Sequence, residues 1–265
     1  MPNRLDVLPP EGMTRVVFEW FSEGVAEFGA RRLMLETGLI DADSYARLFN
    51  DDLERIRFSA VRSASAADLM AAAQGGRFNS GYKKLAYYRG SLMALKWDTA
   101  LRRAGHTDGL FHLLDILRAR RDADNRVPAE VLFTESAALG LDVRGDFERF
   151  IVRGERLIPP GDLLAPGHRI VESLKPSRDL GFDLPASQAT KIITGVRPGG
   201  PAEVAGLRDG MSLIRTENAS TDVNGARLHD PVVLHVSVDG ESRQIAYLAE
   251  GPLQSAFAFV RVAGD

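Results

Sequence analysis

Glu19, Glu23 and Glu27 recur every four residues within Thr14-Arg-Val-Val-Phe-Glu-Trp-Phe-Ser-Glu-Gly-Val-Ala-Glu-Phe28. On a helix that spacing stacks three carboxylates on one face, where each like-charged pair costs roughly 0.2–0.5 kcal/mol. Two arrangements relieve such a ladder: a solvated face with arginines nearby, or a bound cation. Metal-ligating nitrogen is scarce in the chain. Its five histidines are His106, His112, His168, His229 and His235, and no two stand three or four apart on a plausible helix. No His-Glu-x-x-His segment occurs. The absence of cysteine excludes thiolate zinc sites, a cysteine nucleophile and disulfides.

The ladder needs a helix to carry it. Val17, Phe21, Val25, Phe28 and Leu35 fall at helical spacings and form one apolar face, and Gly38 is placed to end the pattern. Helical periodicity continues to about residue 123. A second helix carries Tyr45, Leu48, Phe49, Leu53 and Ile56, capped by Asp41 or Asp43. An alanine-rich segment spans 63–73, a third strong helix runs from about Lys84 to Ala104, and Asp108 can cap a helix over 109–121. Two shorter helical segments follow at 128–139 and 144–152. Pro159-Pro160-Gly161 and Pro166-Gly167 then punctuate a loop, and from about Leu180 the period changes to two. Lys191–Val196 and Val232–Val238 read as strands, and Asp239-Gly240 before 244–248 reads as a hairpin turn. Pro201 suits the first turn of a short helix that Gly206 stops. The expectation is an α+β chain, a helical bundle at 1–175 followed by a small β-rich domain at 176–265.

Composition narrows the classes. The 265 residues are 45% hydrophobic with a formal net charge of −3, so the chain can bury a substantial core. No Lys/Arg cluster interleaved with aromatics points to nucleic acid, and no run of eighteen apolar residues points to a membrane span. The opening MPNRLDVLPPEG carries no apolar core of a signal peptide, so these residues give no address.

Two resemblances follow from longer motifs. Leu180-Gly181-Phe182-Asp183-Leu184 resembles the carboxylate-binding loop of a PDZ domain of the bacterial type. Gly195-Val196-Arg-Pro198-Gly-Gly-Pro201-Ala202-Glu-Val-Ala205-Gly206-Leu207-Arg-Asp-Gly210 resembles its strand–helix–turn core. Met211 and Asn218-Ala219 depart from the usual Asp and Asn-Gly. The resemblance implies that Gly181 and Phe182 offer backbone N–H groups to a peptide carboxylate, or that the module only packs. The helical part is similar to the C-terminal half of the catalytic domain in the glycyl aminopeptidase family, PDZ-bearing zinc peptidases of the gluzincin type. Trp20-Phe21-Ser22-Glu23-Gly24, Tyr87-Tyr88-Arg89-Gly90 with Ser91-Leu-Met-Ala-Leu-Lys-Trp-Asp98, and Phe147-Glu-Arg-Phe150-Ile-Val-Arg153-Gly154 carry it. By that resemblance Glu23 is the third zinc ligand, Glu27 a carboxylate that orients a ligating histidine, and Tyr87 the oxyanion-stabilising tyrosine, with Arg89 replacing a lysine.

The family's two histidines and its general base are missing, and Met1–Leu5 resembles the segment just downstream of the zinc helix. The resemblance implies a C-terminal portion of a zinc peptidase acting on peptide or protein substrates, inactive by itself. Zinc belongs to the parent protein, with none expected in this chain, and the parent is periplasmic or extracellular if it follows its family. The alternative is a non-catalytic PDZ-type binding or scaffolding protein. Self-association is expected if apolar residues of the first helix are left uncovered.

Overall fold

Helical periodicity over the first two thirds of the chain and alternation over the last third produce an α+β protein. A computed structural model describes residues 5–164, 167–219 and 229–262. It divides into two units: Met1–Ile56 with Val61–Glu172 and Phe257–Asp265, and Arg57–Ala60 with Ser173–Ala256. The expected division at 175/176 falls just inside the second unit's main stretch. The chain's end belongs to the first unit because Phe259 is buried in that unit's core, with Phe257 packed against it.

The first unit opens with β1 (Asp6–Leu8) and α1 (Arg15–Glu36). Val17, Phe18, Trp20, Phe21, Val25 and Phe28 are buried along α1, and Gly38 at φ +71° ends it as expected. Most of the α1 apolar face is thus covered within the unit, while Leu33 near its end is exposed. α2 (Ala42–Phe58) starts where Asp41 accepts from the Ser44 N–H at 2.7 Å. α3 (Ala66–Gln74) starts on a capping box in which Ser65 and Asp68 satisfy each other's backbone N–H.

α4 (Ser80–Arg103) begins one turn earlier than its periodicity suggests, because the Asn79 side chain caps the Gly81 N–H at 3.0 Å. α5 (Leu110–Ala119) takes its cap from another helix. Asp98 of α4 accepts from the Leu110 N–H at 2.8 Å, and Asp108 is not the cap. β2 (Arg126–Pro128) pairs in parallel with β1, Val7 opposite Val127. α6 (Ala129–Ala138) and α7 (Val143–Phe147) follow, and α7 runs into a π-helical turn at Glu148–Val152. Around Trp20 the core is aromatic, with ring centroids 5.2 Å from Phe18, 5.7 Å from Trp97 and 5.8 Å from Phe147.

β3 (His168–Arg178) leads into the second unit. There α8 (Leu184–Thr190), α9 (Pro201–Val204), β4 (Ser212–Glu217), β5 (Val232–Val238) and β6 (Glu241–Tyr247) precede β7 (Glu250–Arg261), which pairs with β3. β4, β5 and β6 form an antiparallel sheet over Leu180, Ile193, Leu207, Leu213, Leu234 and Val236. Asp239 and Gly240 take positive φ, as a two-residue hairpin between β5 and β6 requires. One expectation fails. Lys191–Val196 is no strand, because Asp183 caps α8 through the Ala186 N–H, Pro185 fits its first turn, and Lys191 closes it at φ +59°. Only Ile192 bridges to Ser212.

Candidate functional site

The segments Trp20–Gly24 and Tyr87–Gly90 meet at two glycines. A Cβ on Gly24 would lie 2.3 Å from the Gly90 Cα, and one on Gly90 would lie 2.0 Å from the Trp20 carbonyl oxygen. Only hydrogen fits at either position, so α1 and α4 touch backbone to backbone. Lys83 acts on the Glu19 carboxyl, Gly90 meets Gly24 and Arg102 pairs with Glu36, so the two helices run in the same direction. Glu23 and Tyr87 stand at the same level of this pair, both partly buried.

The ladder's carboxylates fall into different environments. Partial burial, and then the charge of Glu23, hold the Glu19 carboxyl above the ordinary range, against the pull of Lys83 and Arg15. Glu27 accepts from Arg31 Nη2 at 2.9 Å. The ring of Tyr87 lies under Lys84 Nζ at 4.8 Å. Arg89, on α4, is buried and donates to the carbonyls of Ala64 at 2.8 Å and Arg62 at 2.6 Å. Desolvation lowers its pKa to about 10, so it remains charged at neutral pH, turned to backbone oxygens.

A zinc site of two histidines and Glu23 needs nitrogen donors that these residues do not supply. Among the described residues no group of three His, Cys, Asp or Glu side chains is placed to hold a metal ion. His106 and His112 stack with centroids 4.6 Å apart across the turn before α5, a pairing the linear spacing hides. His168 Nε2 lies 2.9 Å from Asp43 Oδ1, and His235 Nε2 lies 3.1 Å from Glu217 Oε1. The donor set for zinc is incomplete within these residues.

In the second unit the loop at Gly181 has φ +75°, and a Cβ there would lie 2.8 Å from the Ala202 nitrogen. The Gly181 backbone groups already have partners. The Gly181 N–H donates to Asp179 Oδ1 at 2.9 Å, and its carbonyl accepts from the Arg197 N–H at 2.9 Å. Asp179 Oδ2 in turn accepts from Arg197 Nη2. Phe182 packs against the unit's apolar core. The chain's own carboxylate thus sits on the amide expected to receive a peptide carboxylate. Past Phe182 the chain enters α8, not a strand.

No protein-family model matches the chain, and no curated protein matches it. Among solved structures it is similar to an aminopeptidase N family protein from Idiomarina loihiensis. The identity is 17% and the TM-score 0.47, and the match covers 92% of this chain and 47% of that one. The chain therefore spans about half the length of that protein. A likeness at this level carries no argument about activity.

A buried ion network was not read from the sequence. Arg31, on α1, donates from Nη1 to Asp52 Oδ2 at 2.6 Å and to Ser91 Oγ at 3.0 Å, and from Nη2 to Asp52 Oδ1 at 3.0 Å. The Ser91 hydroxyl donates to Asp52 Oδ2 at 2.8 Å, and Glu27 joins from the outer side. Burial pushes the Asp52 carboxyl up, opposed by these donors. The available signals were an arginine four residues after Glu27 and an aspartate between Phe49 and Leu53. Lys96 Nζ and Trp97 Nε1 likewise converge on Asp146, at 2.5 and 2.8 Å. Much of the run Ser91–Asp98 is thereby engaged in holding helices together.

Proposed function

We propose that the chain is the C-terminal portion of a zinc-dependent metallopeptidase with aminopeptidase-like action on peptides, inactive by itself. The observation that carries this reading is the glycine contact. It sets the Glu23 segment against the Tyr87 segment at one level of a rigidly spaced helix pair, which an active site built from both would require. Glu23 would contribute a carboxylate ligand, and the metal, when held, supplies an activated water and a polarised carbonyl. This chain's own share would be to fix that carboxylate and to present the Tyr87 hydroxyl as a hydrogen-bond donor to a developing oxyanion. Glu27 would orient a ligating histidine, its carboxylate held by Arg31, which also ties α1 to Asp52 and Ser91.

The test is hydrolysis of aminoacyl amide substrates by the product of the whole gene. Glu23→Gln should abolish zinc retention and activity, and Tyr87→Phe should lower kcat roughly a hundredfold with zinc retained. Full activity in both variants refutes the reading. Peptide binding at the second unit is the alternative, and the geometry favours it less, because the Gly181 N–H is already engaged by Asp179.

A further inference from the structure

Away from the glycine contact, the first unit holds a cavity of about 400 Å³ that neither Trp20–Gly24 nor Tyr87–Gly90 lines. Its walls come from α1, α2, α4 and the segment around Leu163–His168. One side is apolar, with Leu35, Leu95, Leu163 and Leu164. The other is rich in hydrogen-bond donors, with Arg32, Arg102, Arg103 and Tyr45. That size and division suit a small organic molecule with an apolar body and one polar end.

The donors are unevenly supplied with acceptors. Arg102 is fully engaged, from Nε to Asp98 Oδ2 at 2.9 Å, from Nη2 to Glu36 Oε1 at 3.1 Å, and from Nη1 to the Thr107 carbonyl. Arg103 pairs with Asp162 at 2.8 Å. Arg32 donates from Nε to the same Glu36 oxygen at 2.8 Å, and makes no other hydrogen bond of ordinary geometry among the described residues. The Tyr45 hydroxyl is buried and has no hydrogen-bond partner. Arg32 is near enough to donate to its oxygen and Asp98 lies within electrostatic reach, so what goes unanswered is the Tyr45 O–H itself. Burial pushes its pKa well above the ordinary tyrosine value, so it stays a neutral O–H donor across the physiological range. A buried donor without an acceptor is a standing cost. The Asp98 carboxylate in the same wall is taken by Arg102 and the Leu110 N–H, which leaves the remaining Arg32 donors and the Tyr45 hydroxyl without an acceptor of their own.

We propose that this cavity binds a small carboxylate with an apolar body, its oxygens taken by Arg32 and Tyr45 and its body against the leucines. A water molecule could also serve Tyr45, but it leaves the leucine-lined volume without an occupant.

The experiment is titration of the chain with acetate, butanoate and 3-phenylpropanoate, and with 3-phenylpropanamide as the uncharged control, followed by NMR amide shifts and calorimetry. The expected result is affinity rising along the acid series, with 3-phenylpropanoate at least roughly tenfold tighter than its amide, and shifts confined to residues 32–45, 95–103 and 163–168. Tyr45→Phe should weaken the acid roughly tenfold while leaving the fold intact, since it removes an unpartnered hydroxyl. Arg32→Gln should remove the preference for acid over amide. No binding of any acid at 10 mM, equal affinity for acid and amide, or an affinity indifferent to both variants overturns the proposal.

Discussion

Gly90→Ala tests whether the α1–α4 contact has the stated tightness. The added Cβ would lie 2.0 Å from the Trp20 oxygen, 2.8 Å from the Gly24 Cα and 2.9 Å from the Trp20 carbonyl carbon, all backbone atoms. No side chain can rotate aside. Restoring ordinary contact at 3.4 Å moves the helices apart by about 1.4 Å. A gap of about 0.5–1 Å already forfeits a quarter to a half of each dispersion contact, and this seam includes Trp20 against Trp97. Overpacking costs about 1–3 kcal/mol where side chains can adjust. With backbone on both sides we expect about 3 kcal/mol or more, lowering the Tm of the first unit by roughly 6–12 °C. Gly29→Ala, on the partner helix α1, is the control. Its Cβ would meet only Phe111 Cε1 at 3.6 Å, so removing a mid-helix glycine should stabilise by about 0.5–1 kcal/mol. Urea and thermal unfolding followed by circular dichroism give both values. A Gly90→Ala variant as stable as wild type would falsify the close-packed seam.

Three further outcomes follow from single groups. Because the folded Glu19 carboxyl is held above its ordinary value, the folded state binds its proton more tightly than the unfolded state does. That contribution to stability is present below about pH 4.5 and lost as pH rises through the folded pKa. Carboxyl NMR should show Glu19 titrating above an ordinary glutamate, and a lower midpoint contradicts the reasoning. Asp98→Ala strands the buried Leu110 N–H and removes the Arg102 partner, so unfolding should show a loss of about 2–4 kcal/mol, whereas a loss below about 1 kcal/mol means α5 is capped otherwise. With the Gly181 N–H held by Asp179, peptides with apolar C termini should bind the wild-type loop no tighter than about 1 mM in fluorescence polarisation; micromolar binding with a Gly181 amide shift contradicts that.

The sequence revealed the helices whose apolar spacing is long and regular, because burial of one face sets both pattern and structure. α1 with its stop at Gly38 and the Asp239-Gly240 hairpin were legible for that reason. What escaped came from partners far away in the chain. The α5 cap comes from Asp98 on α4, and Arg31 finds Asp52 and Ser91 on two other helices. The segment after Phe182 became helix because Asp183 caps it, a local signal outweighed in the reading by the alternation around it. At the candidate site, Glu23, Glu27 and Tyr87 were found through motifs. The reason their segments meet, two glycines that admit no side chain, was written in Trp-Phe-Ser-Glu-Gly and Tyr-Tyr-Arg-Gly yet carried no periodicity to expose it.

The most direct measurement is the nucleotide sequence upstream of the Met1 codon. The account predicts an open frame continuous with Met1 that encodes a His-Glu-x-x-His helix a short distance before it, supplying the two histidines and the base that Glu23 lacks. An in-frame stop codon, with no such segment encoded, contradicts it.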